Sequence, residues 1–435
     1  MVDRVGILSL ISRLKQSQFV RRVMTVFTGS VFAQLMPLLA APALTRLYSP
    51  DDFGIFALYY SVITISGVLA TGRYEMAITL PKDEQDAAAV FLLSILSSVF
   101  FCLLLVVGTG IWQSSLNGYL GAEENSSLIF WIPLGALGIA SFRVFSYWAI
   151  YRARFRGLAI GKVVQAGGIA GLQLSAGGIS LAGGLVAGQV AGHLLGALYL
   201  FIRTVSADLY LLKQVARDRL LSVARGYYKF PLLSLPASLA NTLTSQLPVI
   251  MLSLYFGPTV VGLFALTQRA LGAPIALLGV SVQEVFREQA SRDFRQTGSC
   301  RDIYMKTFKA LTALALLPFL LLFIFAPLLF EFVFGSEWRA AGDYTRLLIT
   351  LFFLRFIASP LSYVLYIAEK QLHDLVWQIG LLLITGVSLV AGGLLNDPTL
   401  SIAFYAGSYS VMYLIYLVMS YRYSERREDD CRRRL

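Results

Sequence analysis

Three arginines stand inside runs that are otherwise apolar: Arg143 within Leu128–Tyr151, Arg269 within Thr259–Val285 and Arg355 within Tyr344–Ala368. A charge at the centre of a membrane helix costs about 2.5–3.5 kcal/mol even on insertion scales, so each guanidinium should face water or a partner. Its rigid fork donates paired hydrogen bonds, a geometry suited to phosphate. The 25 acidic residues fall in loops, tails or helix ends, with Glu75 and Glu284 nearest the interior. Two readings follow. Either backbone carbonyls or Glu284 hold the arginines, or the arginines form a cationic lumen for an anionic substrate. The turn Arg73-Tyr74-Glu75, followed by Pro81, is also compatible with a capped helix end and a local ion pair, which contributes little when exposed.

The elements that must carry these residues are membrane helices. Hydrophobic residues make up 57% of the 435, charged residues only 14%, and the mean hydropathy is +0.69. Soluble domains carry about 25% charged residues. Aromatic content of 13% excludes a disordered chain. Apolar runs such as Phe91–Trp112, Leu311–Phe334 and Val376–Leu395 are too long and unbroken for barrel strands. In hydrocarbon such runs satisfy their backbone groups only as helices.

The fold class expected is therefore an all-α polytopic membrane protein with about twelve spans of about 20 residues each. They are Val23–Leu47, Phe53–Gly72, Ala87–Trp112, Leu128–Tyr151, Leu158–Gly178 and Gly183–Arg203. The second half supplies Phe230–Phe256, Thr259–Val285, Phe308–Phe330, Tyr344–Ala368, Val376–Leu395 and Leu400–Tyr421. With the N-terminus placed in the cytoplasm, 30 of the 36 basic residues fall inside and only Arg46, Arg339 and Arg346 fall outside. That asymmetry fixes the orientation by the positive-inside rule, with both termini cytoplasmic. The organisation expected is a cytoplasmic segment 1–22, a lobe 23–203, a linker 204–229, a second lobe 230–421 and a tail 422–435.

The net charge of +11 is topology signal and attraction to anionic membrane lipid, not a nucleic-acid patch. The first apolar stretch reads as a retained span, being longer than a signal-peptide core. Cys102, Cys300 and Cys431 imply no disulfide framework.

The nonapeptide Pro50–Leu58 recurs at Pro258–Leu266 as P-x-x-x-G-x-F-A-L. Each copy sits just after the first helix of a six-helix half. With six spans per half, the copies point the same way through the bilayer, a parallel repeat that places the transport pathway between the halves. Gly184, Gly188, Gly192 and Gly196 recur every fourth residue, spacing that lets helices approach closely. Nothing resembles an enzyme: His193 and His373 are the only histidines, and metal-site, nucleophile-elbow and phosphate-loop motifs are absent. No cofactor or metal is expected.

The stretch Pro42-Ala43-Leu44-Thr45-Arg46-Leu47-Tyr48-Ser49-Pro50-Asp51-Asp52-Phe53-Gly54, then Arg73-Tyr74-Glu75-Met76-Ala77-Ile78 and Leu80-Pro81, resembles the opening of the Wzx-type polysaccharide flippases. Tyr228-Lys229-Phe230-Pro231, Ser245-Gln246-Leu247-Pro248, Gln268-Arg269 and Glu284-Val285-Phe286 are similar to that family's second half. The resemblance implies two six-helix lobes around a central cavity, in the multidrug/oligosaccharidyl-lipid/polysaccharide (MOP) exporter superfamily. It implies a bacterial inner-membrane protein that moves an undecaprenyl-pyrophosphate-linked oligosaccharide to the periplasmic leaflet for polysaccharide, O-antigen or lipopolysaccharide synthesis. Polysaccharide polymerase and chain-length proteins are the partners it implies. Arg46, Arg73 and Arg269 match its motif positions as substrate contacts, with Glu75, Gln246 and Glu284 in support. Arg143 and Arg355 join them from burial alone.

Two other readings stand beside this one. A cation-coupled drug or metabolite antiporter of the same superfamily should carry a carboxylate in its first span, and Val23–Leu47 has none. A scaffolding membrane protein should tolerate loss of the interior arginines.

Overall fold

In the computed structural model, residues 27–113, 126–181 and 183–425 are described. The expected segment 1–22, the start of the first span, most of the loop Gln113–Ser127 and the tail beyond Glu425 lie outside them. Among the described residues, twelve long helices occupy the expected spans: α1 Phe27–Leu47, α2 Pro50–Ala70, α3 Glu84–Ile111, α4 Trp131–Tyr151, α5 Phe155–Gly178 and α6 Gly184–Leu200. They continue with α7 Leu235–Phe256, α8 Pro258–Thr297, α9 Arg301–Phe334, α10 Arg339–Leu361, α11 Gln371–Leu394 and α12 Pro398–Arg422. Among the described residues there is no β-strand. The chain is a multi-pass membrane protein.

Nine of these helices, taken with their flanking turns, are long and apolar enough to cross a membrane on length and composition alone. The other three are the polar ones. α5 carries Arg156, Lys162, Gln165 and Gln173, α7 carries Asn241 to Gln246, and α8 runs on into a charged stretch. Lipid-facing sides are plain on α3, where Phe100, Leu103, Leu104 and Val107 are exposed, and on α9, where Leu316, Leu317 and Leu320 are. In water such patches would drive association.

Local chemistry sets the helix ends. At the start of α2 the Ser49 N–H and Oγ–H donate to Asp52 Oδ2 at 2.9 and 2.8 Å, and the Asp52 N–H returns a bond to Ser49 Oγ at 3.2 Å. This reciprocal cap, with Pro50 pre-set at the first helical position, fixes where α2 begins. Asp397 caps α12 through the N–H groups of Thr399 and Leu400. Gly257, at φ 79°, turns the chain out of α7 before Pro258 opens α8.

The chain forms two compact units. One comprises Val62–Leu239 with the preceding chain up to Ala40; the other comprises Ala41–Ser61 with the chain from Ala240 onward. In the first, α6 packs along α5 and α4. The glycine ladder makes this possible. A Cβ on Gly188, Gly192 or Gly196 would press on Gln173, Ile169 or Gln165 of α5. In the second, α10 packs against α8, α9 and α12, and Trp338 is fully buried, with its Nε1–H on the Thr45 carbonyl at 3.0 Å and its ring edge-on to Phe53 at 4.9 Å.

Candidate functional site

In the first unit, the chain leaves α2 through two consecutive left-handed residues, Gly72 (φ 57°) and Arg73 (φ 61°). Such a conformation is unfavourable for arginine and aims its side chain back over the following turn, Tyr74–Thr79. There the Arg73 Nη1–H donates to Glu75 Oε1 at 3.2 Å. Arg143, from the middle of α4, brings its own Nη1 to 4.0 Å from the same oxygen. Glu75 is fully buried, and its Oε2 has no hydrogen-bond partner among the described residues; neither has Arg73 Nε. The cluster holds two cations on one carboxylate, a surplus positive charge with an unused donor.

The acid that Arg143 meets is Glu75 and not the expected Glu284. Glu75 stands in a buried turn and reaches Arg143, so that arginine is not without an acid. Close by, His193 of α6 lies between Gln165 (2.6 Å to Nδ1) and Gln189 (3.0 Å to Nε2). Both ring nitrogens are engaged, which makes this a polar tie between helices.

In the second unit, Arg269 sits on α8 with its guanidinium 5.1 Å from the centroid of the Phe56 ring. Gln246 of α7 accepts from Ser61 Oγ at 2.8 Å. Arg355 of α10 is exposed at mid-helix, 5.9 Å from the Phe352 ring. It lies close enough to Tyr405, Tyr409 and Tyr413 of α12 to feel each of them, and Tyr405 in turn hydrogen-bonds Gln268. Neither Arg269 nor Arg355 forms an ion pair with a carboxylate among the described residues. Glu284 is exposed fifteen residues beyond Arg269 on α8, about 22 Å along the axis, so it cannot be that arginine's counter-ion. Arg46 is exposed at the end of α1.

Two acidic hubs were not legible as such. Asp208, buried shortly after α6, binds Arg154 at 2.7 Å, Arg152 at 3.3 Å and the Trp148 indole N–H at 3.0 Å. Burial works against the Arg152 charge, but Asp208 and Glu84 outweigh it and hold the guanidinium above its ordinary range. Asp374, buried in the first turn of α11, accepts from Gln378 (2.8 Å), Tyr366 (3.2 Å) and Tyr416. Among the described residues no group of three or more His, Cys, Asp or Glu side chains gathers to hold a metal ion.

Residues 43–343 match the polysaccharide biosynthesis protein family. The chain belongs to that family. No curated protein matches it. Its fold is that of the MOP-superfamily transporters. A multidrug resistance MATE family transporter of the MOP superfamily, inward-facing, aligns with TM-score 0.66 at 15% identity, over 90% of this chain and 93% of that one. The lipid II flippase MurJ, in an inward closed conformation, gives 0.70 at 12%, over 93% and 87%. A MOP transporter from Pyrococcus furiosus, described as having a binding pocket of reverse polarity, gives 0.57 at 13%, over 93% and 94%.

Within this family member, sequence reasoning found the arginines but not what holds them. Phe56 lies inside the repeated nonapeptide, where the repeat pattern alone marks it. Tyr405, Tyr409 and Tyr413 recur every fourth residue on α12, a spacing that signals one helix face.

Proposed function

We propose that this protein is a flippase that moves an undecaprenyl-pyrophosphate-linked oligosaccharide from the cytoplasmic to the periplasmic leaflet of the bacterial inner membrane. It works by alternating access of the lobes 23–203 and 230–421 about the linker 204–229, with both termini cytoplasmic. The observation that carries this reading is the pair Arg269 and Arg355: two membrane-embedded guanidiniums faced by aromatic rings, with no carboxylate ion-paired to either among the described residues. A ring beside a guanidinium stabilises the cation without neutralising it, so both keep their positive charge. The guanidinium fork pairs bidentately with phosphate oxygens, which suits a pyrophosphate group.

Arg73 and Arg143 add a third cationic position, tempered by Glu75. The polyprenyl tail can stay in lipid, so the protein needs to bind only the charged and sugar parts. Family membership and the fold shared with a lipid II flippase support the same reading. The antiporter alternative is disfavoured because the described first helix, Phe27–Leu47, contains no carboxylate. No catalytic step is needed.

The test is a leaflet-translocation assay in proteoliposomes, offering a pyrophosphate-linked lipid saccharide and, separately, an organic-cation drug. Arg269→Ala is expected to abolish translocation of the saccharide while the protein still inserts. Transport of the drug alone would sink the flippase reading, and normal translocation by Arg269→Ala would remove that arginine from the mechanism.

A further inference from the structure

The two copies of the repeated nonapeptide touch each other. A Cβ on Gly54 would collide with the carbonyl oxygen of Pro258, and a Cβ on Gly262 would collide with the carbonyl oxygen of Pro50. The glycine of each copy thus sits on the first residue of the other, a reciprocal contact expected of two segments related by a local twofold axis. The side chains join as well, with Thr259 Oγ1–H donating to Asp51 Oδ1. Only glycine permits α2 and α8 to cross backbone to backbone here.

The crossing has a consequence for Arg269. That residue lies two helical turns past Gly262, and helical side chains lean toward the N-terminus. Its guanidinium therefore climbs back toward the crossing and reaches the ring of Phe56, two residues past Gly54 and almost fully buried. Had the helices been held apart by side chains, the ring would lie out of reach.

We propose that the Gly54–Gly262 crossing is a latch that keeps Arg269 docked on Phe56, withholding this cation from a pyrophosphate group until the crossing opens. The inference rests on the flippase reading for the identity of the anion, but not for the latch. While latched, the guanidinium has one face covered by the ring. When α2 and α8 part at their glycines, Arg269 exchanges the ring for the stronger, bidentate hydrogen bonds of phosphate oxygens. Gly54 and Gly262 are then positioning residues, and Phe56 is the group that competes with substrate.

The test uses the full chain with Cys431→Ser and the pair Asp51→Cys/Thr259→Cys, so that oxidation closes the latch covalently and reduction frees it. Binding of undecaprenyl pyrophosphate is measured in detergent, and translocation separately in proteoliposomes. Oxidation is expected to weaken binding roughly two- to thirty-fold, the range of one cation–π contact, with full recovery on reduction. In the unmodified chain, Phe56→Leu is expected to bind more tightly by a similar factor, whereas Phe56→Tyr, which keeps a ring, binds as the wild type does. A structural role for Phe56 would weaken binding in the Leu variant. Equal binding before and after oxidation, or equal binding by the Leu and Tyr variants, would overturn the latch. The expected binding pattern without any translocation of the saccharide would instead sink the flippase reading and leave the latch standing.

Discussion

Glu75 and Arg143 meet across 4.0 Å, joining the buried turn after α2 to the middle of α4. The carboxylate is fully buried while the Arg73 and Arg143 side chains keep 18% and 28% of their exposure. Removing its charge would leave two guanidiniums facing one another over a neutral amide. Glu75→Gln is therefore expected to cost about 2 kcal/mol, less than a fully buried pair because water still reaches both cations. The double variant Glu75→Gln/Arg143→Gln should recover at least half of that loss. Thermal unfolding in detergent measures both alongside Arg143→Gln alone, and a double variant whose loss equals the sum of the two single losses would show that the pair is not coupled.

The contact between α5 and α6 makes a paired prediction about glycines. A methyl on Gly192 would stand 2.6 Å from the Ile169 nitrogen, whereas one on Gly171 meets nothing within 4 Å. Gly192→Ala should destabilise by about 1–3 kcal/mol through forced separation of the helices. Gly171→Ala should be neutral or stabilising by about 0.5–1 kcal/mol, the ordinary helix preference for alanine. Equal melting temperatures for the two variants would contradict the packing described.

Cys300 offers a readout of pH. It lies between α8 and α9, almost fully buried, with its N–H on the Ser424 carbonyl at 2.7 Å. Burial and the nearby Asp293 push its thiol up to about 12. A raised thiol means the neutral form is favoured by folding; that contribution is complete below the ordinary value near 9.0 and is lost only as pH climbs toward about 12. Near pH 8 the thiolate is thus about a thousandfold scarcer than in the unfolded chain. Labelling by N-ethylmaleimide at that pH should be very slow in the folded protein. Glu425→Gln, which removes the 2.8 Å pair with Arg301 beside it, should speed it. Rapid, stoichiometric labelling of Cys300 in the wild type would be the contrary result.

The spans were legible because apolar run length and basic-residue asymmetry are local signals. Phe91–Trp112 and Val376–Leu395 could hardly be anything but membrane helices, and α3 and α11 fall on them. Arg143, Arg269 and Arg355 were legible because each interrupts such a run. Their partners were not, for partnership depends on which helix faces which. Glu75 looked like a loop residue until the left-handed turn at Arg73 folded it inward. Phe56 is one aromatic residue among 29 phenylalanines, and only the close approach at Gly54 shows why it matters. Asp208 and Asp374 each gather donors from distant segments, which no spacing along the chain reveals.

The length of α8 has a mechanical meaning. The span expected on this helix ends at Val285, yet the helix runs unbroken to Thr297, about 18 Å further. While the latch is closed, its fulcrum is near the other end, where Gly262 rests on Pro50. Rocking α8 by about 10° around that point would sweep Thr297 through about 9 Å. The backbone bond from Cys300 to Ser424 would carry the end of α12 along with it. A displacement too small to notice at the glycines becomes, at the far end of the rod, a stroke as wide as a helix.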